Sequence, residues 1–481
     1  MADFDIVVIG AGSGNALVGA GFPERRVALI DDGVPFGGTC LNKGCIPSKM
    51  LSQVAHHVAT IRRADRLGVS TGAPTVDWPA VRERVFGRTD PLAEAAEASR
   101  AASEKVTLFR GRAQFTDPHT VRVDLFDGST ATVTSDSFVV ATGSRPVVPD
   151  IAGLDDPRLA GMVFTSDDIM RVEKLPKTLA IMGGGVVATE MADIFAGLGC
   201  QVTVVQRSGQ LLRRADRAVA AALTAELAQR VTLRLNQTLS EVEPSGRGVT
   251  LYAHDVNGIE YTYSAEALLL AVGRRPNTDR LGVEAAGLEL TADGRLVVDA
   301  NQRTSVPHIW ALGDVDSPEP LKHVANLEAR IVRHNLEQPK QLVATDDRPI
   351  PAALFTTPQA AWVGATEQAL EQSGRPYVAA VQHYRDVAYG WAMEDDCDHH
   401  FVKLLADPAT GAILGGHIVG PEAALLLQPI IQAMTFNLDA TTMARGQYWP
   451  HPGLQEVVEN ALLKLDIPTP KAKPSLLPWR R

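Results

Sequence analysis

An α/β chain, with two wound parallel-sheet units and a C-terminal α+β unit, is predicted by three features of the sequence. A β-branched run, a glycine-rich turn and a helix-compatible segment occur in that order twice. Each copy is followed by a second apolar run of strand length. From about Pro351 the texture changes to a mixture of strand and helix candidates, including Phe401 to Leu405, Ile413 to Val419 and a helix start near Gly453-Leu454. The 481 residues are enough for about two to four domains, each with its own core.

The first copy runs Asp5-Ile6-Val7-Val8-Ile9 into Gly10-Ala11-Gly12-Ser13-Gly14-Asn15, with Val27 to Ile30 as the following strand. The second runs Thr178-Leu179-Ala180-Ile181-Met182 into Gly183-Gly184-Gly185-Val186-Val187-Ala188, with Val202 to Val205 next. Continuous apolar runs of this length suit parallel strands buried on both faces. A glycine turn between strand and helix presents backbone N–H groups and a helix N-terminus to a pyrophosphate. Two Rossmann-like dinucleotide-binding units follow. In the first, Asp31 stands about 20 residues on, where an acid would hold ribose hydroxyls, and Asn15 replaces the third glycine. In the second, Ala188 is an accepted third position, but the strand ends Val205-Gln206-Arg207. Gln206 takes the acid's place, and Arg207 with Arg213 suits a 2′-phosphate, so NADPH is expected over NADH. Two further runs, Phe138 to Ala141 and Ala267 to Val272, end in the turns Thr142-Gly143 and Gly273 and then in Arg-Pro segments that read as exits between domains.

Composition excludes several classes. With 46 basic and 56 acidic residues the formal charge is −10, which argues against nucleic acid or an anionic membrane as the main partner. No apolar run approaches the roughly 20 residues of a membrane span, and the N-terminus enters a strand-like run without a leader pattern, so a cytoplasmic protein is expected. The four cysteines, Cys40, Cys45, Cys200 and Cys397, are too few for a disulfide-stapled scaffold.

The pair in Gly37-Gly38-Thr39-Cys40-Leu41-Asn42-Lys43-Gly44-Cys45-Ile46-Pro47-Ser48-Lys49 carries the chemistry. A metal site wants about four ligands, and a plant-type iron–sulfur pattern would need a third cysteine where Ser48 stands. Two local cysteines favour a dithiol–disulfide couple. Near the other end, His451 and Glu456 in Tyr448-Trp449-Pro450-His451-Pro452-Gly453-Leu454-Gln455-Glu456 could form an oriented imidazole; taken alone, such a histidine is more often structural. Gly313-Asp314 reads as a strand-end turn or a cofactor contact. Asp395-Asp396-Cys397-Asp398-His399-His400 has the composition of a metal cluster but reads better as a polar hairpin loop, so no metal is expected. The segment from Pro468, with three further prolines and a basic charge, reads as a loose tail.

These motifs, taken together and in this order, resemble the class I pyridine nucleotide-disulfide oxidoreductase family over residues 3 to about 464. The resemblance rests on the 37–49 segment, both glycine turns, Ala141-Thr142-Gly143, Ala311-Leu312-Gly313-Asp314, and His451-Pro452 with Glu456. It implies FAD and NADPH as cofactors, a small-molecule disulfide as substrate, and a homodimer whose active site is completed by the partner chain. It implies Cys45 as the charge-transfer thiolate against the flavin and Cys40 as the thiol that attacks substrate. The partner's His451 would be the acid–base, oriented by Glu456, and Lys49 would pair with Glu190 beside the flavin. Gly10, Gly12, Gly14, Asn15, Asp31, Gly38, Thr39, Thr142, Gly143, Gly313 and Asp314 would bind FAD. Gly183, Gly185, Ala188, Arg207, Arg213 and Gly273 would bind NADPH. The implied division is an FAD domain at 1–148, an NADPH domain at 149–272, a central domain at 273–345, a dimerisation domain at 346–465 and a tail at 466–481. Phe86-Gly87-Arg88, the 322–326, 386–395 and 444–449 segments resemble the mycothione-reducing branch, which implies reduction of mycothione to mycothiol. Val186 departs from the aromatic residue that this branch and the glutathione enzymes carry over the nicotinamide pocket. The alternatives are a glutathione reductase-like or dihydrolipoamide dehydrogenase-like enzyme, and a flavin-binding redox sensor. No second cysteine pair follows Cys397, which argues against mercuric reductase and the long thioredoxin reductases.

Overall fold

The computed structural model describes residues 2–18, 22 and 24–467. The apolar runs pair as parallel sheets. In the first, Ile309–Ala311, Phe138–Val140, Ile6–Ile9, Val27–Asp31 and Val106–Asp117 lie side by side in parallel. The long strand Val106–Asp117 then turns antiparallel with Thr120–Leu125 and Thr130–Thr134. Chain from beyond residue 300 thus completes the sheet that the first residues begin. Its four-residue first strand is wholly buried, which a run of four β-branched side chains suits.

The second sheet, in the order Thr232–Leu235, Gln201–Gln206, Thr178–Met182, Ala267–Leu270 and Val163–Thr165, is parallel throughout. A three-stranded antiparallel sheet of Gln237–Ser245, Gly248–Asp255 and Glu260–Ala265 packs beside it. The two Arg-Pro segments expected as exits pair with each other, Ser144–Pro146 against Arg274–Pro276, as a two-stranded antiparallel junction.

Two helical expectations are corrected. The first glycine turn opens only a 3-10 turn, Gly14–Leu17, among the described residues, and residues 19–21 and 23 lie outside the description. The C-terminal helix starts at Glu456 rather than at Gly453-Leu454, because Gln455 donates to Pro450 O and holds the preceding residues as a turn. The second glycine turn does open a helix, Val186–Leu198. The expected tail lies outside the described residues from Pro468 onward. No described helix is long and apolar enough to cross a membrane.

The C-terminal sheet runs Pro351–Leu354, Gln359–Gly364, Ile413–Gly420, Phe401–Ala406, Val378–His383, antiparallel throughout. Phe401–Ala406 is buried along its whole length, Lys403 included. The Lys403 ammonium lies 2.7 Å from Asp216 Oδ1 and 2.7 Å from Glu367 Oε2, and only 4% of the residue is exposed. Asp216 also caps the helix Arg217–Ala228 and accepts from Glu367 N–H. Burial pushes its carboxyl up, but the Lys403 bond, the Glu367 N–H and His417 outweigh that and hold it below the usual range. This buried ion pair ties the second sheet unit to the C-terminal sheet. Lys403→Met leaves Asp216 buried without its cation, a change worth about 3 kcal/mol. The expected outcome is a clearly lower unfolding temperature, partly restored in Asp216→Asn/Lys403→Met; an unchanged unfolding temperature for Lys403→Met would contradict the assignment.

Candidate active site

The site begins where two glycine segments touch. A Cβ on Gly38 would lie 2.5 Å from Gly12 Cα, and Gly38 has φ +81°, so both the space and the backbone demand glycine. Gly10, at φ +109°, approaches the Ala141 carbonyl just as closely. The cysteine segment is thereby seated on the first glycine turn. Cys40 lies in the short helix Gly38–Asn42, and Cys45 opens the 18-residue helix Cys45–Arg62. Buried Asn42 fixes the loop between them by donating to Pro35 O, Phe36 O and Gly38 O. Arg171 donates to Asn42 O, and Lys43 pairs with Asp167 at 3.2 Å.

The two thiols titrate as a unit. The hydrogen bond from Cys45 pulls the Cys40 thiol down to about 7, against burial and with help from Lys322. Cys45 is pushed up by that shared proton, by burial and by the charge on Cys40. The pair therefore loses its first proton near neutrality and resists losing the second, which would set two thiolates side by side. The positive end of the long helix lies at Cys45 and draws the single charge toward that sulfur. Cys45 is the more exposed of the two, and Cys40 is half-buried.

Lys49 and Glu190 are brought to one place but not into a direct ion pair. Lys49 Nζ lies 3.8 Å over the ring of Phe355, whose N–H donates to Glu190 Oε1 at 3.3 Å. Burial lowers the Lys49 pKa, opposed by attraction to Glu190; burial raises that of Glu190, opposed by the Phe355 N–H and Lys49. Phe355 is a residue that sequence reasoning missed, a lone aromatic in a loop with no pattern around it.

The residues assigned to flavin binding converge on the first turn. Asp31 Oδ1 accepts from Ala11 N–H at 2.9 Å and Oδ2 from Gly33 N–H at 3.2 Å, and Arg110 pairs with it at 3.1 Å. Burial raises its pKa, opposed by the Ala11 N–H and Arg110. Asn15 is held by Arg100, which donates to Oδ1. Thr142 Oγ1 is buried without a partner among the described residues. Gly143 and Thr142 are fixed from behind by Asn277. Asp314 accepts from Ser144 Oγ at 2.5 Å, and Gly313, at φ +84°, donates to the buried Glu328. Thr39 borders Gly44, whose Cβ would meet Thr39 O at 3.0 Å. A cradle that admits no Cβ and a buried hydroxyl awaiting a partner fit a bound dinucleotide.

At the second turn Gly183 has φ +126° and abuts the Ala271 carbonyl, ahead of the exit glycine Gly273 at φ +138°. Gln206 lies against Gly184, whose Cβ would come 2.5 Å from Gln206 Nε2, so the glutamine does occupy the end of the second strand beside the turn. Gly185 caps the helix with open space where a Cβ would point, and Ala188 is buried in the first turn behind it. Arg207 and Arg213 are exposed, and neither joins an ion pair among the described residues. Val186 is exposed at the helix start.

His451 Nδ1 lies 2.8 Å from Glu456 Oε1, while Glu456 Oε2 accepts from Gly453 N–H. The imidazole is therefore oriented by the carboxylate, and its side chain is 71% exposed. Trp449 turns back onto its own chain, donating to Ala444 O, whereas Tyr448 is 97% exposed. Trp391 is also exposed, its indole N–H held by Arg385 O.

Comparison with known proteins agrees with this geometry. The profile described as "Pyridine nucleotide-disulphide oxidoreductase" matches residues 4–329, and that family's dimerisation domain matches 350–462. The chain is 43% identical over 477 residues to mycothione reductase from Mycobacterium tuberculosis, covering 97% of this chain and 100% of the relative. It is 32% identical to dihydrolipoyl dehydrogenase of Haemophilus influenzae, covering 98% of each. Among solved structures, a Cu(II) complex of the HOCl-induced flavoprotein disulfide reductase RclA from Escherichia coli superposes with a TM-score of 0.84 at 26% identity, covering 96% of this chain and 99% of that one. The cysteine pair seated on a dinucleotide cradle is thus part of a known design: the chain belongs to the pyridine nucleotide-disulphide oxidoreductase family and is a flavoprotein disulfide reductase.

Proposed function

We propose that the chain uses FAD and NADPH to reduce a low-molecular-weight disulfide, and that its substrate is mycothione. The observation that carries the redox reading is the Cys40–Cys45 pair at a helix N-terminus, in backbone contact with the first glycine turn. The substrate reading is supported by 43% identity to mycothione reductase along almost the whole chain. Gln206 in place of a ribose-binding acid, with exposed Arg207 and Arg213 beyond it, supports NADPH and weighs against the NAD-linked dihydrolipoyl dehydrogenases. The same reading divides the chain into an FAD domain at 1–148, an NADPH domain at 149–272, a central domain at 273–345 and a dimerisation domain at 346–465. It also assigns a cytoplasmic location.

The cofactor residues divide by turn. Gly10, Gly12, Gly14, Asn15, Asp31, Gly38, Thr39, Thr142, Gly143, Gly313 and Asp314 would hold FAD. Gly183, Gly185, Ala188, Gly273, Arg207 and Arg213 would hold NADPH. Bound flavin supplies the relay by which two electrons from the nicotinamide reach the cysteine disulfide. Lys49 and Glu190, bracketing Phe355, set the charge beside it.

Once reduced, the pair does the remaining work. The partner subunit's His451 takes the proton of the Cys40 thiol as that sulfur attacks one sulfur of the substrate; the S–S bond breaks, and the imidazolium returns the proton to the first thiol as it leaves. Cys45 thiolate then attacks Cys40 sulfur, re-forming the Cys40–Cys45 disulfide and expelling the second sulfur as a thiolate, which takes its proton from solvent. The helix N-terminus keeps Cys45 ionised while Cys40 exchanges. Glu456 steadies the imidazolium formed between proton transfers. Exposure of His451 on its own chain suits a residue that serves a neighbour, and a homodimer is therefore expected.

His451→Ala should slow disulfide reduction by roughly two to four orders of magnitude while leaving flavin reduction by NADPH nearly unchanged. Stopped-flow measurement of the two half-reactions checks this, and a slowed first half-reaction would place the histidine elsewhere. In a side-by-side comparison of kcat/KM at one pH, mycothiol disulfide with NADPH should exceed glutathione disulfide, lipoamide, and the same reaction with NADH. A higher value for another disulfide would reject the substrate, and equal values for the two nucleotides would reject the role of the arginines.

A further inference from the structure

The acidic, histidine-rich loop Asp395–His400 reads in the sequence as a polar hairpin, but the fold delivers a distant carboxylate to it. Glu226, near the end of helix Arg217–Ala228, reaches across from the second sheet unit. Cys397 Sγ lies 3.2 Å from Glu226 Oε1, and His399 Nδ1 lies 2.7 Å from the same oxygen. The three ligand atoms all fall within 4.8 Å of one another. We propose that Glu226, Cys397 and His399 form a binding site for a divalent cation of the zinc type, linking the helix of the nucleotide-binding unit to the approach of the C-terminal strand Phe401–Ala406.

Thiolate, imidazole and carboxylate together are the donor set of borderline-soft divalent ions, where calcium or magnesium would call for oxygens alone. Bonds of about 2.0–2.3 Å in a tetrahedron place neighbouring ligand atoms about 3.5 Å apart. Glu226 Oε1 lies 3.2 Å from Cys397 Sγ and 2.7 Å from His399 Nδ1, and all three atoms fall within 4.8 Å, so they lie within reach of one ion. The charge balance points the same way. Glu226 is only 8% exposed, and among the described residues no lysine or arginine pairs with it. Its hydrogen-bond donors are Cys397, His399 and Gln229, none of them a permanent cation. A buried carboxylate is seldom left so, and a divalent ion would match it.

The loop is already shaped. Asp395 holds His400 Nδ1 at 2.7 Å and accepts from Cys397 N–H, and Asp396 pairs with Arg66 at 2.6 Å. Burial, with Glu226 alongside, pushes the Cys397 thiol up to about 12, so the cation would displace a proton on binding, Cys397–SH becoming metal-bound thiolate with release of one H⁺. His399 lies partly exposed at the mouth of the site, and the fourth position is left to water.

The test is titration of the flavin-containing protein, stripped of metal by chelator, with Co(II) in a Cys40→Ser/Cys45→Ser background that removes the redox thiols. Difference spectra should show a thiolate-to-cobalt charge-transfer band that saturates at one equivalent per chain and is reversed by Zn(II). Cys397→Ser should abolish the band. His399→Ala, at a partly exposed position where folding is not in question, should weaken binding by at least about tenfold, the loss that even a second-layer partner causes. Absence of the band, or a band undiminished in Cys397→Ser, overturns the site.

Discussion

Contact between the backbones of Gly12 and Gly38 is the constraint on which the rest of the structure depends. Any side chain at Gly38 would overlap the first glycine turn, and its positive φ already excludes most residues. The cysteine segment can sit this close to the first glycine turn only because neither Gly12 nor Gly38 carries a side chain. Close approach recurs further along the same helix. A Cβ on Gly197 would lie 2.4 Å from that of Ala55, so helix Cys45–Arg62 crosses helix Val186–Leu198 nearly backbone to backbone. One helix thus begins at the redox pair and packs against the helix that the second nucleotide turn opens. Electron transfer between two cofactors and a thiol pair needs fixed spacing, and small residues at both crossings provide it.

Buried charge organises the remainder. Lys403 between Asp216 and Glu367 fastens the second sheet unit to the C-terminal sheet. Lys49 lies over the Phe355 ring while Glu190 accepts from the Phe355 N–H, so the two charges meet at one residue without a direct ion pair. Full pairing would suit a structural salt bridge; charges left partly uncompensated would suit the place beside the flavin proposed for them. At the cysteine pair a shared proton and a helix N-terminus keep one thiolate near neutral pH.

Much of this was legible in the sequence because it is local. Apolar runs became buried parallel strands, and the two glycine turns lie at their ends. Gln206 sits beside Gly184 where an acid would otherwise be. Contacts between distant segments were not legible. Nothing in Phe355 announces that its ring meets Lys49 and its N–H meets Glu190, and nothing in Glu226 predicts Cys397. The short turn after Gly14 also escaped pattern reading, since the apolar spacing there allows a longer helix than the described residues form. Periodicity sees one element at a time, whereas these features arise from packing between elements.

Turnover depends on Cys40 and Cys45 cycling as one disulfide–dithiol couple. Peptide mapping by mass spectrometry after alkylation, on protein oxidised by excess disulfide and on protein reduced anaerobically with NADPH, tests it most directly. An intramolecular Cys40–Cys45 disulfide is expected in the first sample and two additional alkylated thiols, at these positions, in the second. Alkylation at Cys40 and Cys45 that does not change with NADPH would contradict it.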